Sequence, residues 1–259
     1  MSLHGIETGF ETIPVLAFDE IDSTNAEARR RADSGEMGPV FITAAVQTAG
    51  RGRRGRAWDT ARGNLAATLL VTTDAAPAEA AQLSFVAAFA IRELAQQYVP
   101  ASLVKLKWPN DVMVDGSKLS GILIESGRTA AGALWLVIGM GVNLAHAPTS
   151  VERPATSIAA HLNQGIAAPP TPEEALAVLS AAFARTASGW ARAGFEPLRE
   201  AWLKAAAGIG QPCLARLDAE TVEGVAEGLD SDGALLIRLP DRTLRRISAG
   251  DVFFPVGAL

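Results

Sequence analysis

Residues 40–73 read VFITAAVQTAGRGRRGRAWDTARGNLAATLLVTT, and the order of features in them decides the fold. Val40 to Val46 is an apolar, β-branched run, Leu65 to Thr72 is a second, and Gly50-Arg51-Gly52-Arg53-Arg54-Gly55-Arg56 followed by Trp58 lies between them. Gly50 to Gly55 matches the spacing G-x-G-x-x-G, with Asp74 at a tolerable distance for a ribose-binding acid. A dinucleotide-binding unit requires a helix to open at that loop, with small residues packing on the strand. Here arginines fill the variable positions and Arg62-Gly63-Asn64 leads into a strand. The order is strand, loop, strand, which speaks against a Rossmann unit.

The loop itself is suited to anions. Glycine lets a backbone approach a ligand closely, and the guanidiniums of Arg51, Arg53, Arg54 and Arg56 offer bidentate donors to phosphate or carboxylate. A solvated basic turn would not need glycine at each of these positions.

Outward from the loop, Ile13 to Phe18 reads as a strand, and Thr24 with Glu27 forms a capping box opening a helix that stops at Gly35. Pro77 and Pro100 bracket a long apolar helix over Ala78 to Tyr98. Val104 to Trp108 is extended, Val112 to Val114 and Gly121 to Ser126 pair across a turn at Asp115-Gly116, and Leu134 to Met140 reads as a central strand. Thr171-Pro172-Glu173-Glu174 opens a helix to about Gly189, and a second helix covers about Glu196 to Ala207. After Gly208 short alternating runs, 211–217, 221–229, 234–239 and 243–248, predict a β-barrel of about fifty residues. Hairpins mixed with helices, without a regular βαβ beat, indicate an α+β class. The expected domains are 1–207 and 208–259.

Composition narrows the function. A chain of 259 residues, 49% apolar, sustains a substantial core, which excludes global disorder. A net charge of −5 gives no basis for broad nucleic-acid affinity, which needs many cations on phosphates. The single cysteine, Cys213, excludes an internal disulfide and fits a reducing compartment, and His4, His146 and His161 lack metal-ligand spacing. Glu7 and Glu11 speak against a signal peptide, and the apolar stretch 130–147 is interrupted by glycines and Asn143, so no membrane span is expected. Cytoplasm is the expected compartment.

Two further motifs carry chemistry. Lys107-Trp108-Pro109-Asn110-Asp111 sets an amide and a carboxylate directly after a proline, an adenine-edge hydrogen bonder beside an acid, with Trp108 as a wall. Lys118-Leu119-Ser120-Gly121-Ile122-Leu123-Ile124-Glu125 puts an ammonium at the mouth of a strand, placed to meet a carboxylate or α-phosphate. No G-x-S-x-G elbow is present to supply a covalent nucleophile.

These signatures, with Gly139-Met140-Gly141-Val142-Asn143, Ser23-Thr24-Asn25 and Gln47, resemble the biotin–protein ligase family in order and spacing over essentially the whole chain. The resemblance implies a catalytic domain like that of class II aminoacyl-tRNA synthetases followed by an SH3-like barrel. It implies that Ser23, Thr24, Gln47 and Gly121 hold the ureido ring of biotin, and that Gly50, Arg51 and Arg53 belong to the loop closing over biotin. Arg53, Arg54, Arg56, Trp58, Lys107, Asn110 and Asn143 would serve ATP and the adenylate, Lys118 the carboxylate and α-phosphate. Asp111 would handle Mg²⁺ or help deprotonate the acceptor lysine, with no other fixed metal site. The implied substrates are biotin and MgATP, and the implied partner is a biotin carboxyl carrier domain. Residues 144–155 would form the adenylate loop. About a dozen residues precede the first strand, so the DNA-binding role of the family's repressor branch is not expected. Pairing into a homodimer through an exposed sheet edge stays open.

Overall fold

The computed structural model describes residues 13–129, 132–149 and 154–255. The expectations placed on His4, Glu7 and Glu11 lie outside these residues, as do positions 150–153 of the expected adenylate loop.

Seven strands form one mixed sheet: β1 (Val15–Ile21), β2 (Val40–Gln47), β3 (Leu65–Thr73), β4 (Val104–Lys107), β5 (Asp111–Val114), β6 (Ser117–Arg128) and β7 (Leu134–Val142). Their order is β1-β2-β3-β7-β6-β5-β4. Among the described residues only β1 with β2 is a parallel pair of this sheet; its other pairs are antiparallel. β3 and β7 are apolar and buried along nearly their whole length because helices cover both faces of the sheet. The turn between β5 and β6 has Asp115 at φ 50° and Gly116 at φ 69°, the pair of positive φ values that a two-residue hairpin of matching twist requires.

The first helix, α1 (Thr24–Asp33), packs on one face over β2, β3 and β7. Its cap corrects the sequence expectation: Ser23 is the N-cap, accepting from Ala26 N at 3.4 Å, and Thr24 is the first helical residue. Thr24 is unavailable as a cap because its N–H and hydroxyl both face Gln47 Oε1, at 2.8 and 3.1 Å. Glu27 instead pairs with Arg30 and Arg31.

The expected helix 78–98 is two pieces, α2 (Pro77–Ala80) and α3 (Leu83–Tyr98). At the break Gln82 is buried and its side-chain carbonyl accepts Trp190 Nε1 at 2.9 Å, while three-residue hydrogen bonds tighten the turn around it. α3 covers the second face of the sheet, α4 (Pro172–Ala193) packs on α3, and α5 (Phe195–Ala205) closes against both. α4 starts with the expected Thr171/Glu174 box and ends beyond Gly189, at Gly194 (φ 75°).

A second, antiparallel sheet follows: β8 (Pro212–Arg216), β9 (Thr221–Leu229), β10 (Leu235–Arg238), β11 (Leu244–Ile247) and β12 (Asp251–Phe253), in the order β11-β10-β9-β8-β12. β12 was not expected. Trp108 Nε1 donates to Gly233 O at 3.0 Å, and Gly233 packs so tightly on Phe85 that a Cβ would stand 2.8 Å from its ring. Ala207 N donates to Leu106 O at 2.8 Å, so the connecting segment extends along the outer edge of β4. Among the described residues no helix is long and apolar enough to cross a membrane.

Candidate active site

A cavity of about 540 Å³ opens between the start of α1, the arginine loop, the sheet face at β6 and β7, and β12. That volume falls in the range of small-molecule sites. It brings together Ser23, Thr24, Gln47, Arg51, Arg53, Arg56, Trp58, Asn110, Asp111, Lys118, Gly121 and Asn143. Three sequence candidates, Gly50, Arg54 and Lys107, are not among its lining residues.

The arginine loop closes on itself. Trp58 N donates to Gly50 O at 2.9 Å and Gly52 N donates to Arg56 O at 2.7 Å, so these glycines serve the loop's own hairpin. A Cβ on Gly50 would lie 2.3 Å from Trp58 O. Arg53 is directed inward, donating to Asn110 Oδ1 at 3.4 Å and Gly250 O at 3.2 Å. Burial pushes its guanidinium below the ordinary arginine range, partly offset by the charge of Asp251. Arg54 and Arg56 turn to the barrel: Arg56 Nη2 lies 2.7 Å from Asp251 Oδ1, and Arg54 reaches Asp251 at 3.3 Å and Asp218 at 2.6 Å.

Trp58 lies across the sheet. A Cβ at Gly141 would stand 2.3 Å from its indole and one at Gly121 would stand 3.2 Å from it, so two bare backbone positions seat the ring. Lys118 Nζ sits 5.6 Å from the ring centroid and 2.6 Å from Asp111 Oδ1. Asp111 is buried at the start of β5, opposite Gly121 on β6, which is why the ammonium and carboxylate of two separate motifs meet. Asn110 Nδ2 donates to Ile122 O at 2.6 Å and Asn143 Nδ2 to Thr156 O at 2.9 Å, fixing both amides. Trp108 is buried in the core and joins the barrel; it is no wall of the cavity. Lys107 is buried with its ammonium 5.8 Å from the Phe254 ring centroid.

At the opposite end Gln47 Nε2 donates to Thr60 Oγ1 at 2.9 Å, which points Oε1 at Thr24. Several groups here were given no role by the sequence, although Asn25 and Glu125 stand inside its signatures. Asn25 lines the cavity, Thr68 and Glu125 support it from behind, and Asp251 reaches in from the barrel. A threonine inside the otherwise apolar run 65–71 was a signal; nothing in the sequence marked Asp251. Asn64 Oδ1 accepts from the backbone N–H of Leu144, Ala145 and His146, each at 3.0 Å, and so sets the segment leaving β7 toward Pro148 and Thr149. Among the described residues no group of three or more His, Cys, Asp or Glu is placed to hold a metal ion.

Fold and cavity together define the class, a small-molecule-binding domain of mixed sheet and helices followed by a small antiparallel β-domain. The biotin/lipoate A/B protein ligase family model matches residues 17–143, and the biotin protein ligase C-terminal domain model matches residues 208–254. A biotin–[acetyl-CoA-carboxylase] ligase of Paracoccus denitrificans is 44% identical over 90% of this chain and 97% of its own length. The Mycobacterium tuberculosis protein of the same name is 35% identical over 96% of this chain and 91% of its own. The biotin protein ligase of Aquifex aeolicus, solved with biotin and ATP, shares the fold with a TM-score of 0.77 at 21% identity, covering 93% of this chain and 99% of that one. The chain belongs to the biotin–protein ligase family of enzymes.

Proposed function

We propose that this protein joins biotin to ATP, forming biotinyl-5′-AMP, and then transfers biotin to one lysine of a biotin carboxyl carrier domain in the cytoplasm. The observation that carries this reading is the meeting of Arg53, Lys118 and Asp111 beside Trp58, with Thr24 and Gln47 at the other end of the same cavity. Relatives of this chain are named for biotin ligation, and one fold neighbour was solved with both small substrates.

The residue types suit the chemistry. A carboxylate oxygen of biotin attacks the α-phosphorus of ATP, a P–O bond forms, and pyrophosphate leaves. Two anions must approach, and Lys118 and Arg53 neutralise charge where it grows. Magnesium arrives with ATP as part of that substrate; Asp111 is the acid assigned either to it or to the proton of the incoming lysine. Trp58 walls the adenine, with Asn110 and Asn143 at its edge. The acyl phosphate survives because the loop shields it from water. The acceptor amine then attacks the acyl carbon and AMP departs, with no covalent enzyme intermediate.

Incubation of the protein with MgATP, biotin and a purified carrier domain should add one biotin to one lysine by mass spectrometry. ATP–pyrophosphate exchange should depend on biotin and not on lipoate. Exchange with lipoate alone would replace this reading by the other branch of the matched family.

A further inference from the structure

A chain of polar groups, half-buried at Glu125 and buried at Asn25, Thr68 and Thr24, runs from the back of β6 to the cavity. Glu125 Oε1 faces Arg29 Nη1 at 3.1 Å and Arg51 Nη2 at 3.7 Å, and its Oε2 accepts Asn25 Nδ2 at 2.9 Å. Asn25 Nδ2 also lies 3.4 Å from Leu123 O, a second acceptor. Its nitrogen is thereby fixed on the Glu125 side and its Oδ1 on the Thr68 side. Gly139 leaves the room, since a Cβ there would stand 2.2 Å from Asn25 Oδ1.

Thr68 is fully buried, with Oγ1 2.7 Å from Asn25 Oδ1 and 2.8 Å from Thr24 Oγ1. One hydroxyl carries one proton. Asn25 Oδ1 can only accept, so it takes the proton of Thr68, and the Thr68 oxygen is left to accept from Thr24. The Thr24 proton therefore goes to Thr68 rather than to Gln47 Oε1 at 3.1 Å. Among the described residues, Gln47 Oε1 then receives only Thr24 N–H, at 2.8 Å, and keeps one lone pair for a donor brought by a ligand. Its amide stays in place because Nε2 is bound to Thr60.

We propose that Glu125 is a positioning residue that sets the hydrogen-bond polarity of the relay Asn25–Thr68–Thr24, so that Gln47 Oε1 is presented as an acceptor for a cyclic-urea N–H. The inference rests on the biotin reading above and extends it to ligand selection: the site takes an N–H donor at this point. In Glu125→Gln the single carbonyl is held by Arg29 and Arg51, so the amide N–H faces Asn25, Asn25 turns its carbonyl toward it, and the relay runs backward. The Thr24 proton then occupies the Gln47 lone pair. Thr68→Val reaches the same end state by another route, leaving Gln47 as the one partner of that proton among the described residues.

The test is calorimetric titration of the full chain with biotin for the parent, Glu125→Gln, Thr68→Val and the double variant, each first checked for a cooperative melt. Each single variant should bind biotin about five- to tenfold more weakly, the value of one neutral hydrogen bond. The double variant should be no weaker than the singles, because both act on one proton. Thr68 touches neither Arg29 nor Arg51, so its variant separates the relay from any loosening of the loop, and either single carries the test if the other does not fold. Binding within twofold of the parent in either single variant overturns the proposal, as do losses that multiply in the double. A parent that does not bind biotin overturns the functional reading itself.

Discussion

Lys118 and Asp111 meet at 2.6 Å with the aspartate side chain 7% exposed and the lysine 28%, so the pair is mostly out of water. Removing one partner of a buried pair strands the other charge, at up to about 3–5 kcal/mol when burial is complete. Lys118→Ala should therefore lower the melting temperature as well as the rate. In the proposed reaction its partner charge develops on the way to the adenylate, so ATP–pyrophosphate exchange should fall about a hundredfold or more, with biotin affinity much less affected. Calorimetry showing affinity lost and turnover of bound biotin intact would contradict that role. The glycine at 141 allows a second prediction. A Cβ there meets the indole of Trp58 at 2.3 Å and cannot be relieved by a flexible neighbour. Gly141→Ala should raise the KM for ATP about tenfold or more with an unchanged far-ultraviolet circular dichroism spectrum. Most of these residues were legible because each motif holds its members within a few positions. The Lys118–Asp111 contact was not, since strand register rather than sequence proximity creates it.

At the scale of elements, the strand–loop–strand order around residues 40–73 and the Asp115-Gly116 turn were legible because local periodicity and positive-φ residues specify them. The break between α2 and α3 was not, because its partner, Trp190, lies 108 residues further on. The shifted cap of α1 has the same origin, in Gln47 drawing Thr24 into the site. Just before this helix Asp22 accepts two hydrogen bonds from Arg30, both at 2.8 Å, and these, against a smaller burial cost, hold its carboxyl down at about 2. A carboxyl depressed in the folded state stabilises above its ordinary value near 3.8 and loses that contribution as pH falls toward 2. Both side chains are about half exposed, so screening limits the gain to less than about 1 kcal/mol. Asp22→Asn should melt slightly below the parent at pH 6, and the gap should narrow as pH falls from about 4 toward 2. A gap that stays constant across this range would exclude the ion pair as its source.

Across the whole molecule, the barrel holds the loop that covers the site. Asp251 is 9% exposed and receives both Arg54 and Arg56, while the carbonyl of its neighbour Gly250 receives Arg53. Three of the loop's four arginines are thus anchored nearly two hundred residues away, on a three-residue strand too short to leave a periodic trace in the sequence. Salt screens such partly buried pairs less than fully exposed ones, so the latch should persist at moderate ionic strength. Asp251→Asn keeps the volume and removes the charge that holds Arg54 and Arg56 and bears on Arg53, which should loosen the loop while leaving the Lys118–Asp111 pair in place. The expected result is near-normal formation of the adenylate with faster escape from the enzyme, read as more biotin on bystander lysines and less on the carrier. Arg53→Ala should show the same leak more strongly, because it also removes a direct charge-assisted contact worth about 1.5–3 kcal/mol. If Asp251→Asn retained the intermediate as well as the parent while Arg53→Ala released it, closure would depend on the loop's own hairpin, and the barrel's contacts would be support for the fold alone.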